Sequence, residues 1–502
     1  MAVKNCRVSS LREQPNLESF DGILILLPAQ TTPNSDSRND LKAILGDDLV
    51  EAAMSLLKKT GKKAKPSDRI TWDLDAEKRL SILWISKDAK AFQILTDCRK
   101  AAGDLLANKA KKLAVFCSGF EQDASILENA FAALYSHSYH FKKYGSKVET
   151  EEDLATVDLI SNSNTPIPEG AGSSWLALNT EQSFVRDLVT RAGNDLTPKV
   201  YCDEVMSWAK SENISAEKFS YDQLKDMGAG AFIAVAQGST HKQSAIIKLT
   251  HDSGKPGPKI CYVGKGVTFD TGGNNLKPAT SMFGMEGDMA GSAVALASFR
   301  LAVKENWSGH HSCYLAISDN LIGDLAYKPN DVITALNQKT IEIVHTDAEG
   351  RMLLADTLCL ASREKPDLIL DYASLTGACI RALGDGYSGV FCNRSEWNDS
   401  LIQAGMTSGE RVWPFPLDED YGESLKSDVA DIKQCRLTGG ADHIEAAYFL
   451  RQFLEGDCLW VHVDLAASHR PGGLAHVASD VTGFGVRFTQ EFVSGFIMNS
   501  QS

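Results

Sequence analysis

The sequence predicts an α/β protein of two domains: a smaller N-terminal α/β domain at residues 1–174, and a larger C-terminal α/β domain with a mixed central sheet at residues 175–502. Three observations predict it. At 502 residues the chain is too long for one ordinary core. Short apolar runs alternate with longer stretches of helical spacing, as they do where helices cover a largely parallel sheet. Between the two halves, residues 161–174, SNSNTPIPEGAGSS, are rich in Ser, Asn, Pro and Gly and carry no apolar period, as a linker or exposed loop does.

In the first half, residues 22–28, 81–86 and 112–117 are apolar runs too short for helices and read as buried strands. Helical spacing at 40–58 and 89–109 lies between them. It resumes at 180–209, where Pro198 must occupy a boundary or first turn, because its ring removes an amide donor. In the second half the expected strands are 231–236, 245–249, 259–263, 312–318, 367–373 and 459–465. The expected helices are 291–305, 353–363 and 444–454. Strands 259–263 and 367–373 run directly into glycine-rich turns, and in open α/β sheets ligands bind beyond the carboxyl ends of strands.

Hydrophobic content of 43% and charged content of 23% are those of a soluble globular chain. With 65 acidic residues against 51 basic ones, the formal charge of −14 argues against nucleic acid and anionic membrane as partners. No apolar run approaches the roughly 20 residues of a membrane span. Residues 1–20 mix Lys4, Arg7, Arg12, Glu13 and Glu18 and lack the apolar core of a signal peptide. The eleven cysteines contain no CxxC pair, the nearest two being Cys379 and Cys392. They read as buried free thiols of a reducing compartment, so a cytoplasmic location is expected.

Two segments could carry chemistry. The stretch VGKGVTFDTGGNNLKP, residues 263–278, follows an expected strand and is dense in glycine, so its backbone turns sharply and lets a partner approach closely. A phosphate cradle would need GxxxxGK[ST], which is absent. Asp270, inside the stretch, would repel a phosphate unless a metal lay between them. Asp288 follows farther on. The second stretch is IEIVHTDAEGR, residues 341–351. Asp347 and Glu349 are two apart, so on extended backbone both carboxylates face one side. Each feature alone has a plain reading: a solvated strand edge, an ordinary turn, or, for Lys265, a surface charge. Together they give four carboxylates at strand ends, an oxygen-rich set able to hold two divalent ions.

The text VGKGVTFDTGG-x3-KP…M-x2-D together with TDAEGR resembles the leucyl aminopeptidase family, di-metal peptidases that remove N-terminal residues. The resemblance runs from about Ser183 to Phe488. It includes SLTGA at 374–378, LKSDVAD at 425–431, WVHVD at 460–464 and TGFGVR at 482–487. SDNLIG at 318–323 and ALGDGY at 382–387 are more similar to its peptidase B branch. The resemblance implies that the larger domain is catalytic and that the smaller one serves oligomerisation or regulation. It implies metal ligands at Lys265, Asp270, Asp288, Asp347 and Glu349, with Asp270 and Glu349 bridging two ions and Lys265 acting as a neutral amine. Zinc or manganese is expected, with magnesium or cobalt also suited to the donors. Lys277 would stabilise the oxyanion formed when a metal-activated water attacks the peptide carbonyl, and Arg351 would hold a bicarbonate ion as general base. Met285, Ser374, Leu375, Gly377 and Ala466 fall where substrate binds. The implied substrates are small peptides with a free N-terminus, and the implied assembly is a homohexamer.

The pattern departs in four places. His345 stands where asparagine is usual and reads as a replacement hydrogen-bonding residue or an additional ligand. Glu286 replaces a basic residue, Ala290 a glycine, and His469 follows 464–468 where the leucine enzymes keep a more apolar rim. The preferred first residue therefore stays open. The alternative function is a weakly active or inactive structural or binding paralogue. A nucleic-acid-binding regulator and a metal phosphoesterase are further readings, opposed by the acidic balance and by the near absence of histidine from the two motifs.

Overall fold

A computed structural model describes residues 4–10, 19–29, 42, 50, 65–75, 78–107, 109–121, 123–141, 144–145, 154–161 and 167–501. The chain falls into two compact units, 1–180 with 471–480, and 181–470 with 481–502. The division lies inside the helix Ala171–Val189.

The first unit holds one six-stranded sheet. Its strands are β1 (Asn5–Ser10), β2 (Gly22–Pro28), β3 (Arg69–Asp73), β4 (Arg79–Ile85), β5 (Lys112–Cys117) and β6 (Thr156–Ser161), in the order β1-β6-β5-β2-β4-β3. Every pairing is parallel except β3 with β4. Central β2 is buried along its whole length, which is why it reads as a continuous apolar run and not as an alternating one. Its side chains divide by parity. Leu24 and Leu26 pack with Ile94, Cys98, Leu105, Leu127 and Phe131, side chains of the helices Ala91–Leu106 and Asp123–His137. Ile23, Ile25 and Leu27 enter a second core on the opposite face, with Ile82 and Trp84. The expected helix 40–58, apart from residues 42 and 50, and residues 162–166 of the expected linker lie outside the described residues.

The second unit adds β7 (Ser215–Ser220), β8 (Ala245–Asp252), β9 (Lys259–Asp270), β10 (His310–Asn320), β11 (Val332–Thr334), β12 (Thr340–Glu342), β13 (Leu368–Ala373), β14 (Ser388–Cys392), β15 (Val412–Pro414), β16 (Ile432–Lys433) and β17 (Leu459–Asp464). Eight of these form a mixed sheet in the order β15-β14-β17-β13-β9-β10-β8-β7. Its central block, β17-β13-β9-β10, is parallel throughout, so four strands end on one edge. Pro198 opens the helix Pro198–Ser211, capped by Thr197, whose hydroxyl accepts the Val200 N–H.

Two expectations are corrected. Residues 231–236, expected as a strand, form the helix Gly230–Ala236, whose Phe232 N–H donates to the buried Asp356 carboxylate at 2.8 Å. A short all-apolar run carries no period by which to separate the two states. The strand expected to end at 263 continues to Asp270. Gly264 and Gly266 are therefore strand residues and not part of a turn. A Cβ on Gly264 would stand 2.4 Å from Ser292 Cα, so the bare backbone lets the helix Ala290–Lys304 lie against β9. All eleven cysteines are free, and ten are buried.

Candidate metal centre

The parallel block brings its chemistry to one edge, each strand delivering polar groups at or beyond its carboxyl end. Strand β9 ends at Asp270, β10 at Asn320 directly across from it in register, β13 at Ala373 just before Ser374, and β17 at Asp464. Asp464 anchors the loop after β13. Its carboxylate accepts the Leu375 N–H at 3.2 Å and the Thr376 hydroxyl at 2.7 Å.

The turn after β9 is fixed from within. Gly272 and Gly273 adopt left-handed φ of 86° and 62°, where a side chain would be strained. The Gly272 N–H donates to Asp270 Oδ1 at 2.8 Å, and the Lys277 N–H closes the loop onto Thr271 O at 2.9 Å. Thr346 then ties this loop to the second motif. Its hydroxyl donates to Gly272 O at 2.6 Å and accepts the Asn275 N–H at 2.8 Å.

The second motif is not extended, which corrects the expected geometry of its carboxylates. Asp347 sits in a turn and Glu349 is the first residue of the helix Glu349–Arg363. The two still converge. One ligand atom from each of Asp270, Asp347 and Glu349 lies within 4.8 Å of the others. His345 Nδ1 accepts the Asp347 N–H at 3.3 Å, so its ring shapes the turn and stands outside that carboxylate group.

Two lysines lie among the acids. Lys265 Nζ is 2.7 Å from Asp288, 2.8 Å from Glu349 and 3.1 Å from the Ser374 carbonyl. Lys277 Nζ is 2.9 Å from Asp270 and 2.6 Å from Asp347. The Lys265 side chain is 4% exposed and that of Lys277 14%, so only Lys277 faces the opening. Asn320 Nδ2 donates to Asp270 Oδ1 at 2.8 Å and to Thr346 O at 3.1 Å. Ser374 Oγ donates to Asp288 Oδ1 at 2.8 Å.

Burial shapes the charges. It pushes the Asp288 carboxyl up to about 6, against the pull of Lys265. Burial, helped by neighbouring Asp270, pushes Glu349 up to about 8, and burial also raises Asp347. For Lys265 burial opposes the charge, yet Asp288, Glu349 and Asp270 together hold the ammonium above the usual lysine value. Lys277 is raised in the same way, burial being outweighed by Asp270, Asp347 and Glu349 together. Four carboxylates face two ammonium groups here, and burial discourages those carboxylates from ionising together. Clustered carboxylate oxygens, with the Lys265 nitrogen beside them, suit hard or borderline divalent cations, whose charge would favour the ionised carboxylates, so the residues present fit such ions.

Arg351, two residues beyond Glu349, points elsewhere. It is 2% exposed, and donates from Nη1 to Gln434 O at 3.1 Å and from Nη2 to Asp442 Oδ1 at 2.7 Å. Of the expected substrate-side residues, Ser374 touches the cluster directly, Leu375 follows it on the same loop, and Gly377 opens the helix after that loop. Met285 stands in the single helical turn before Asp288, and Ala466 just past the end of β17. Glu286 lies in that same turn, Ala290 begins the helix packed on β9, and His469 is exposed, paired across a single bridge with Val481. Asn320, Thr346, Gln434, Asp442 and Asp464 were not singled out in the sequence as site residues. Asn320, Thr346 and Asp464 each fall inside a quoted motif, SDNLIG, TDAEGR and WVHVD, whereas Gln434 and Asp442 fall in none.

The profile of the cytosol aminopeptidase family, catalytic domain, matches residues 183–489. The chain is 39% identical over 335 residues to a probable cytosol aminopeptidase of Chlorobaculum tepidum, an alignment spanning 66% of this chain and 65% of that one. It is 32% identical over 468 residues to a probable cytosol aminopeptidase of a Polaromonas species, covering 92% of this chain and 89% of the relative. Among solved structures, the bottromycin maturation enzyme BotP in complex with Mn superposes with a TM-score of 0.79 at 26% identity, over 95% of this chain and 99% of that one.

Proposed function

The chain belongs to the cytosol aminopeptidase family and is an aminopeptidase hydrolase of it, and from that premise we propose how its own residues carry out the release of N-terminal residues from small peptides. The observation that carries the reading is the convergence of Asp270, Asp288, Asp347 and Glu349 on two lysines, Lys265 buried and Lys277 partly exposed, at the carboxyl edge of the parallel block. Lys265, Asp270, Asp288, Asp347 and Glu349 would hold two divalent ions, with zinc or manganese favoured over magnesium or cobalt. When bound, such ions supply a Lewis acid for the peptide carbonyl, acidify the attacking water and give a free α-amine a ligand site.

The chain's residues divide the remaining work by exposure. Lys265, sealed inside, would join the ligands only as a neutral amine, its proton given up when bound dications replace it as the partner of Asp288 and Glu349. Lys277, the more exposed of the two, keeps its proton and offers a fixed positive charge to the oxygen that becomes anionic when the carbonyl is attacked. Asn320 and the Thr346 hydroxyl hold the two motifs in register, so Asp270 and Glu349 keep their relative placement. Met285, Ser374, Leu375, Gly377 and Ala466 line the side where the first residue is read. The bicarbonate implied for Arg351 has no step in this scheme, because that arginine already holds a chain carboxylate. The reading also takes the chain as a cytoplasmic homohexamer in which the first unit serves assembly or regulation.

A panel of aminoacyl-p-nitroanilides and free-amine peptides, assayed with each of the four metals in turn, tests this. Release of the first residue from free peptides, and none from their N-acetylated forms, is the expected result. No hydrolysis by metal-loaded protein, or phosphate release from a phosphoester with peptides untouched, overturns it.

A further inference from the structure

We propose that Asp442 supplies, from within this chain, the anion that Arg351 holds, so that this enzyme works without exogenous bicarbonate. The inference rests on the aminopeptidase reading above. Arg351 rises from the first turn of the Glu349–Arg363 helix, and its Nη2 meets Asp442 Oδ1 at 2.7 Å, while Nη1 meets the Gln434 carbonyl at 3.1 Å. Gln434 is itself clamped. Its Oε1 accepts the N–H groups of Val344 and His345, each at 3.2 Å, and its Nε2 donates to Ala348 O at 2.9 Å. The guanidinium is thus held in one orientation, with Asp442 along one arm of its fork.

Asp442 is placed by design of the backbone around it. Gly439 and Gly440 take left-handed φ of 69° and 80°, separated from it only by Ala441. A Cβ on Gly440 would lie 2.8 Å from Arg436 Nε and 2.9 Å from Glu445 Oε1, partners in a 2.7 Å ion pair that packs over this turn. The turn delivers Asp442 as the first residue of the helix Asp442–Arg451, where a carboxylate also meets the positive end of the helix dipole. Burial pushes the Asp442 carboxyl up, but Arg351, with His443 and Arg381 adding to it, holds it below the usual carboxylate range. Its side chain is 37% exposed against 2% for Arg351, so Asp442 stands between the arginine and the solvent.

A bicarbonate seated on the same fork would be a second anion beside Asp442. At about 4 Å and the effective dielectric of a protein surface, that repulsion weakens its binding by about a thousandfold. Asp442 touches Arg351 and no reacting atom that the structure shows, so it is a positioning residue and charge partner. Removing its carboxylate should expose an anion site that bicarbonate can fill.

The test uses full-length, metal-loaded protein in buffer freed of carbon dioxide and then titrated with sodium bicarbonate, read by kcat and by thermal midpoint. Wild type should show a flat response in both. Asp442→Ala should lose at least tenfold in kcat, regain much of it as bicarbonate is added, and gain thermal stability from the same titration. Asp442→Asn keeps the side chain's size without its charge and should behave alike, which guards against a folding defect in the alanine variant. A wild type that bicarbonate both activates and stabilises overturns the proposal, as do variants blind to bicarbonate in both readouts. Should no form hydrolyse any peptide, the aminopeptidase reading falls, while the thermal response still decides what Arg351 holds.

Discussion

Replacing Gly350 by alanine tests whether the Lys265 side chain must lie where it does. The added Cβ would sit 2.7 Å from both Cδ and Cε of Lys265 and 2.9 Å from its Nζ, against the 3.5–4.0 Å of ordinary contact, so something must move by about 1 Å. A free lysine would swing aside at little cost. This one is pinned by Asp288, Glu349 and the Ser374 carbonyl. Overpacking of that kind costs about 1–3 kcal/mol, and alanine in place of glycine within a helix returns up to about 1 kcal/mol. The net loss of stability should therefore stay near 0–2 kcal/mol, too little to unfold the protein. A displacement of about 1 Å among catalytic donors costs on the order of a hundredfold in rate. Initial rates on an aminoacyl-p-nitroanilide with saturating manganese should show that fall in kcat/KM, and elemental analysis after dialysis should show less retained metal. Gly495→Ala is the control, because nothing lies within 4 Å of its Cβ in the helix Val486–Gln501. If Gly350→Ala keeps wild-type kcat/KM and metal content, the claim that this glycine admits the Lys265 side chain is wrong.

Lys277→Met should lower kcat by about a hundredfold to a thousandfold, as removal of an oxyanion donor does, with metal content unchanged; a kcat within threefold of wild type refutes the role. Asn320→Ala removes the bond to Asp270 and should weaken metal binding by about tenfold to a hundredfold, read by competition with a chromogenic chelator; an unchanged affinity would show the bond to be incidental. Stripping the ions should abolish activity and lower stability, by about 2.7 kcal/mol relative to protein at a hundredfold excess over Kd, and manganese should restore both. Glu410 accepts N–H groups from Gly485, Phe488 and Gln182, and burial pushes its carboxyl from 4.5 up to about 7. The folded state therefore holds that proton more tightly than the unfolded one. Its contribution is complete below pH 4.5 and is lost as pH rises through 7, a change on the order of 3 kcal/mol. Urea unfolding should show Glu410→Gln losing ground to wild type at pH 5 but much less at pH 8; a pH-independent difference contradicts the assignment.

How much the sequence discloses depends on what fixes each element. Strands β2 and β5 are legible because both faces of each are buried, so the apolar run itself is the record of burial. Residues 231–236 carry the same run and form a helix, since what decides there is the Asp356 carboxylate receiving Phe232, 124 residues away in sequence. Gly264 and Gly266 read as turn residues because local sequence cannot show that a helix presses on them. The ligand candidates Asp270, Asp347 and Glu349 are legible by type, though Asp347 and Glu349 meet through a turn and a helix start instead of along a strand. Asn320 and Asp442 are recognisable only in three dimensions, being ordinary polar residues until β10 sets one beside Asp270 and the turn at Gly439–Gly440 sets the other on Arg351.

The parallel block of β17, β13, β9 and β10 also has a kinetic consequence. Lys265 Nζ meets the carbonyl of Ser374, 109 residues further along the chain, and closing a loop of that length costs about 4 kcal/mol in chain entropy before any pairing rewards it. Parallel strands with such separations join late in folding. A growing or unfolded chain would offer an ion little beyond Asp347 and Glu349, whereas the folded unit brings Asp270, Asp347 and Glu349 within 4.8 Å of one another. If these residues hold ions as proposed, metal uptake would mark the completion of this unit's folding, and a bound ion would slow the separation of β9 from the turn at Asp347 and the helix that Glu349 begins.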